Sequence, residues 1–91
     1  MSEIILTIDG IDPVALYGEK NSKLNLIRKA YPDITITSRG SNLKLSGDKK
    51  QTQKAKHKFE MMVRLLRENH ELSTQTVEDL LEGNNPFETR L

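Results

Sequence analysis

A short run between two predicted helices combines residue types that suit the binding of a phosphate group. From Gly18 to Lys23 the chain reads Gly-Glu-Lys-Asn-Ser-Lys. Glycine lets a backbone approach an anion closely, and the N–H groups at a helix start point at the same anion. Lys20 and Lys23 add positive charge, whereas Glu19 opposes it. The candidate contacts to a phosphate group are therefore Gly18, Lys20, Asn21 and Lys23.

Charge is segregated along the chain, and this run lies in the basic part. From Glu19 to Lys58 there are eleven basic and three acidic side chains, a formal charge of +8, although the whole chain carries only +1. The first 18 residues carry −3 and the last 33 carry −4. A basic middle between acidic ends favours a polyanion-binding surface over a small-molecule pocket, with a lysine-rich solvated face as the alternative.

Further basic residues extend the candidate surface. Arg28 and Lys29 lie on the second predicted helix, and Arg39 and Lys44 lie around the hairpin that follows it. Lysines at the start of the long helix oppose its dipole, so helix stability does not explain them. This second-tier patch comprises Lys49, Lys50 and Lys54. The chain has only 2 tyrosines and 2 phenylalanines, which predicts little base stacking and weak sequence selectivity.

Composition disfavours several other kinds of function. The 91 residues make one domain at most, and the lack of cysteine excludes a thiolate metal site and a cysteine nucleophile. His57 and His70 have no third ligand at metal spacing, and no serine or threonine is marked by a paired base. No stretch approaches the roughly 18 apolar residues of a membrane span. We therefore expect a cytoplasmic chain with no membrane partner.

Predicted strands and helices on both sides of it in the sequence must position the run from Gly18 to Lys23. The hydrophobic pattern predicts strands at 4–8, 34–38 and 43–46, two helices between the first two strands, and a long helix capped by Asp48. Ser73 begins a final short helix that ends at Gly83. Strands with one wet face favour an antiparallel or mixed sheet that is covered on one side. The prediction is a two-layer α+β domain of order β-α-α-β-β-α with a small extra C-terminal helix.

This order, with a glycine turn joining the first two helices, resembles a KH domain of the first topological type. In KH domains a Gly-x-x-Gly turn clamps the backbone of about four nucleotides. This chain has Asn21 at the second glycine position; asparagine tolerates left-handed backbone and is a good helix cap. We predict a KH-like domain over 1–72, an accessory helix over 73–83 and a linker or tail over 84–91.

Three strings resemble the N-terminal region of PhoH-like proteins. They are DPVALYG at 12–18, NLI at 25–27 and RGSNLKLSGD at 39–48, and the resemblance covers roughly residues 3–83. It implies an RNA-binding module that precedes a P-loop ATPase domain, which would lie beyond Leu91 together with its ATP and magnesium. The chain itself has no Gly-x-x-x-x-Gly-Lys-Ser/Thr motif, so no catalytic residue and no cofactor are predicted in it.

Two functions remain open at this point. In the first, the chain binds RNA or another single-stranded nucleic acid and delivers it to the ATPase domain of the same protein. In the second, the KH-like fold has lost RNA binding, as the missing second glycine allows, and serves assembly or regulation through protein contacts. A fold does not determine a function, so the choice depends on the run from Gly18 to Lys23.

Overall fold

The computed structural model describes residues 2–68, 70 and 72–83, which contain one three-stranded sheet. Its strands are β1 (Ser2–Thr7), β2 (Ile34–Arg39) and β3 (Asn42–Gly47). β3 lies in the middle and is antiparallel to both neighbours. All three predicted strands are present; β2 and β3 extend beyond the predicted residues, whereas β1 begins two residues earlier and ends one residue earlier than predicted. The predicted tail at 84–91 lies outside the described residues.

Four α-helices accompany the sheet in the described part of the chain. α1 (Pro13–Tyr17) and α2 (Ser22–Ala30) separate β1 from β2, while α3 (Lys49–Arg67) and α4 (Thr74–Leu81) follow β3. A 3-10 turn over Glu19–Asn21 joins α1 to α2. None of these helices is both long and apolar enough to cross a bilayer.

Three helices begin at a residue whose side chain caps the helix N-terminus. The carboxylate of Asp12 accepts from the N–H of Val14 at 3.0 Å, with Pro13 at the first helical position of α1. Asp48 caps α3 in the same way through the N–H of Gln51, also at 3.0 Å. The hydroxyl of Ser73 accepts from the N–H of Thr76 at 3.1 Å at the start of α4. These local hydrogen bonds satisfy N–H groups that a helix leaves unpaired, so their positions could be predicted from sequence.

The core lies between the helices and one face of the sheet. The i, i+3, i+7 spacing in α2 predicted an inward face, and Leu24, Ile27 and Tyr31 are all buried. From β3 the core receives Leu43 and Leu45, and from α3 it receives side chains that include Phe59 and Met62. α4 adds Val77 and Leu80, which belong to the same apolar cluster. The two-layer α+β prediction is therefore confirmed, and α4 packs against α2 and α3.

Candidate nucleic-acid interface

The turn between α1 and α2 is built from residues with positive φ. Gly18 has φ of 85° and ends α1 by donating its N–H to the carbonyl of Val14 at 2.8 Å. Lys20 and Asn21 follow with φ of 55° and 59°, both in the left-handed region. The N–H of Asn21 donates back to the carbonyl of Gly18 at 3.1 Å. Left-handed backbone costs an L-residue roughly 1–2 kcal/mol, and lysine, unlike asparagine, is not a residue that adopts it routinely. The turn is therefore tight and strained.

Gly18 is required at the start of this turn for two reasons. Its φ of 85° is one that residues with a side chain rarely adopt. A Cβ at this position would also lie 2.5 Å from the hydroxyl oxygen of Ser22 and 3.1 Å from the backbone nitrogen of Lys23. The absence of a side chain at Gly18 thus lets the end of α1 approach the first turn of α2 closely.

The first turn of α2 has no side-chain cap. Asn21 occupies the capping position, but its side chain makes no capping hydrogen bond, so the predicted cap is wrong. The physical reason is the left-handed backbone of Asn21, since capping side chains usually depend on extended backbone at that position. The carbonyl of Glu19 accepts the N–H of Ser22. The side chain of Asn21 therefore satisfies none of the N–H groups in the first turn of α2.

Lys20 and Asn21 are exposed at the tip of the turn, whereas Lys23 is partly buried beside it. The Lys23 ammonium donates a hydrogen bond of 2.8 Å to the carbonyl of Ala15 in α1. This contact forms because α1 lies close enough to accept the ammonium. Lys20 is consequently the cation that the turn presents to solvent.

Arg28 also has a partner inside the fold. Its guanidinium donates from Nη2 and Nε to the carbonyl of Ile36 at 2.8 and 3.3 Å, and from Nη1 to Asn25 at 3.2 Å. β2 is an edge strand, so the carbonyl of Ile36 is one that no neighbouring strand uses. Arg28 thus links α2 to the sheet edge although it is exposed, as is Lys29 beside it.

Arg39 and Lys44 lie on a different surface from the turn. Side chains alternate between the two faces along each strand, and these two lie on the sheet face that the helices do not cover. Lys44 forms a salt bridge of 3.3 Å with Glu3 of β1. This outer face holds a shallow groove of about 520 Å³, and its walls are formed by Ile5, Thr35, Thr37, Arg39, Asn42, Lys44 and Ser46. The predicted site residues therefore divide between two faces of the molecule.

The two tyrosines take part in the core and are largely removed from solvent. Tyr17 and Tyr31 are 6% and 8% exposed. Burial raises the pKa of both phenols above the ordinary value of 10.0, since a desolvated phenolate is disfavoured. Tyr17 precedes the turn but lies inside the fold, so the turn offers no exposed aromatic ring for stacking on a base.

A basic groove, separate from the groove on the outer sheet face, lies where α2 ends beside α3 and α4. It has a volume of about 450 Å³, and its lining residues are Tyr31, Gln53, Lys54, His57, Lys58 and Leu81. The sequence pattern indicated a lysine patch that included Lys54, but it gave no reason to join that patch to α2 or α4. His57, which has no third ligand at metal spacing in the sequence, lines this groove with the two lysines. The four-residue spacing of Lys54 and Lys58 was the one available signal, because it places both on one side of α3.

The described residues contain no group of three or more histidine, aspartate or glutamate side chains that could hold a metal ion. Comparison of the chain with protein-family models, with curated proteins and with solved structures finds no match. The function must therefore be inferred from the geometry of the turn and of the basic groove.

Proposed function

We propose that this chain is a binding module for single-stranded nucleic acid, and for RNA in particular. The turn from Gly18 to Lys23 contacts the sugar-phosphate backbone of the strand. One observation carries the proposal. Lys20 is exposed in a strained left-handed conformation, two residues before a helix whose N-cap residue makes no side-chain capping hydrogen bond. Strain of this kind persists where function requires it, and an uncapped helix start with an adjacent cation suits a phosphate.

The finer description of the fold belongs to the same proposal. We interpret the domain as KH-like of the first topological type, which is supported by the paired helices between β1 and β2, the helix after β3, and the sheet order β1-β3-β2. The turn then occupies the place of the Gly-x-x-Gly clamp, with Gly18 at the first glycine and Asn21 at the second. The left-handed φ of 59° at Asn21 supports this assignment, because it is a conformation that glycine adopts readily.

The context of the module is proposed from the resemblance to PhoH-like proteins. In this proposal the chain precedes a P-loop ATPase domain of a cytoplasmic protein, and ATP and magnesium belong to that domain. The chain itself supplies nucleic-acid binding and no catalysis. The strings at 12–18 and 39–48 carry this part of the proposal, and they include both the turn glycine and the β2-β3 hairpin.

Fluorescence anisotropy of a labelled single-stranded RNA, titrated with the chain at several salt concentrations, tests the proposal. Binding to phosphates weakens with salt, with a slope of log K against log salt of about −0.7 for each phosphate neutralised. We expect Lys20→Gln to weaken binding and to make the slope shallower by about 0.7. Lys44→Gln is the matched control, because it removes the same charge from the outer sheet face. Equal effects of the two substitutions would contradict a specific role of the turn.

A role in assembly is the second candidate, and one observation favours it. Ile5 is 59% exposed on the outer face of the sheet, where it pairs with Lys44 of β3. A single exposed aliphatic residue is common on protein surfaces, so the assembly role rests on its position on a sheet face that the helices do not cover. If this reading is correct, light scattering will show an oligomer, or a complex with the ATPase domain, that Ile5→Lys disrupts. A monomer that binds RNA and is unaffected by Ile5→Lys would exclude it.

A further inference from the structure

We infer that the basic groove between α2, α3 and α4 is a second anchor for the same nucleic-acid strand, which continues from the turn along α2. This inference rests on the proposed function and extends it from a local clamp to a longer path. The occupant is the phosphate backbone of single-stranded nucleic acid. The residues that would hold it are Lys54 and Lys58, with His57 beside them in the groove.

The position of α2 connects the two sites. α2 starts at Ser22, directly after the turn, and ends at Ala30, after which Tyr31 forms part of the groove wall. Nine residues at 1.5 Å each span about 13 Å. A stacked strand advances about 3.4 Å per nucleotide, so about four nucleotides cover this distance. Lys29, in the last turn of α2, is exposed.

The charges of the groove favour an anion over a protein or an apolar ligand. Among the residues that the structure describes, no acidic side chain forms a salt bridge with Lys54 or Lys58. Two unneutralised ammonium groups therefore face a groove whose remaining walls come from a phenol, an amide, an imidazole and a leucine. A polyanion that neutralises both lysines gains from counterion release, which is the main source of affinity for nucleic-acid backbones.

The same helix provides a matched control. Lys49 and Lys56 are seven residues apart, so they share one side of α3, and at 3.6 residues per turn that side is roughly opposite Lys54 and Lys58. Nearby Glu60 and Val63 line a cleft with β1, which places that side of α3 toward β1 and away from the groove. The double variants K54Q/K58Q and K49Q/K56Q thus remove equal charge from opposite sides of one helix.

Two labelled oligouridylates provide the test, one of about four nucleotides, the size of a clamp site, and one of about sixteen, the upper end of single-strand sites. We expect K54Q/K58Q to bind the short probe like wild type and to make the salt slope for the long probe shallower by about 1.4. The sequence pattern grouped Lys49 with Lys54, but Lys49 does not line the groove, so K49Q/K56Q should leave both slopes unchanged. Circular dichroism checks that each variant is folded.

The outcomes separate the inference from the proposed function. If K20Q weakens binding of both probes but the two double variants behave alike on the long probe, the second anchor is excluded and the clamp stands. If K54Q/K58Q weakens binding and K20Q does not, the clamp and the path that leads from it are both overturned. Absence of binding to either probe by the wild-type chain at low salt would overturn both as well.

Discussion

The ammonium of Lys23 and the carbonyl of Ala15 are joined by a hydrogen bond of 2.8 Å, which connects the first turn of α2 to α1. Cations at the C-terminal end of a helix stabilise its unpaired carbonyl groups. α1 has only five residues, too few to be stable alone, and it has no basic residue in its own last turn. Lys23 therefore supplies from the next helix the positive charge that α1 lacks.

The first prediction concerns this link between the helices. Lys23→Gln should lower the free energy of unfolding by about 1–2 kcal/mol, since a hydrogen bond from a charged donor to a partly buried carbonyl is lost. Lys29→Gln, which removes an exposed lysine of the same helix, should change it by less than about 0.5 kcal/mol. Urea denaturation of the two variants measures the difference. Equal stabilities would mean that the Lys23 contact contributes nothing.

Gly18 provides the second prediction, with Gly10 as its control. Both have positive φ, 85° and 75°, but a Cβ at Gly10 meets nothing within 4 Å. Gly10→Ala should therefore cost only the strain of the backbone, about 1 kcal/mol. Gly18→Ala should cost about 1–3 kcal/mol more, because its Cβ also meets Ser22 and the backbone of Lys23. Thermal denaturation compares them, and a Gly18→Ala variant as stable as Gly10→Ala would show that α1 and α2 are not held in this close approach.

The third prediction tests the backbone of Asn21. Asn21→Ala should destabilise the fold by about 1 kcal/mol, because alanine adopts the left-handed φ of 59° observed here less readily than asparagine does. Asn21→Gly relieves that strain and should be at least 0.5 kcal/mol more stable than the alanine variant. If the turn binds backbone phosphates, the glycine variant should also keep its affinity for single-stranded RNA. A glycine variant that folds but no longer binds would show that the Asn21 side chain is itself a contact.

The buried tyrosines give a dependence on pH. Burial raises the pKa of Tyr17 and Tyr31 in the folded state above 10.0, so the unfolded chain releases these protons first. Their contribution to stability is complete below about pH 10 and is lost as the pH rises through the higher folded values. Tyr17→Phe and Tyr31→Phe should each reduce this alkaline loss. Urea denaturation at neutral and alkaline pH measures it, and an unchanged loss in both variants would mean that the two tyrosines do not cause it.

Features fixed by local chemistry could be predicted from the sequence. Asp12, Asp48 and Ser73 each begin a helix where a short polar side chain precedes a periodic apolar pattern, and all three caps are present. The alternation in β2 places Arg39 on the uncovered sheet face with Thr35 and Thr37, although the sequence pattern had grouped Arg39 with the turn. Local patterns were therefore sufficient for element starts and for the faces of strands.

Features that depend on packing between distant segments could not be predicted. The ammonium of Lys23 finds Ala15 and the guanidinium of Arg28 finds Ile36 only after α1, α2 and β2 have come together. The cap expected at Asn21 fails because Lys20 and Asn21 both adopt left-handed backbone, which no single residue type specifies here. The groove beside Lys54 likewise exists because α2 ends where α3 begins its second turn, and this is set by tertiary packing.

The central claim is that a nucleic-acid strand lies on the turn between α1 and α2. Titration of an isotopically labelled chain with single-stranded RNA, followed by the chemical shifts of backbone amides, tests it most directly. We expect the largest shift changes over residues 18–24, in the turn and the first turn of α2, with smaller changes near Lys54 and Lys58. Changes confined to the outer sheet face around Ile5 and Lys44, with the turn unaffected, would contradict the claim.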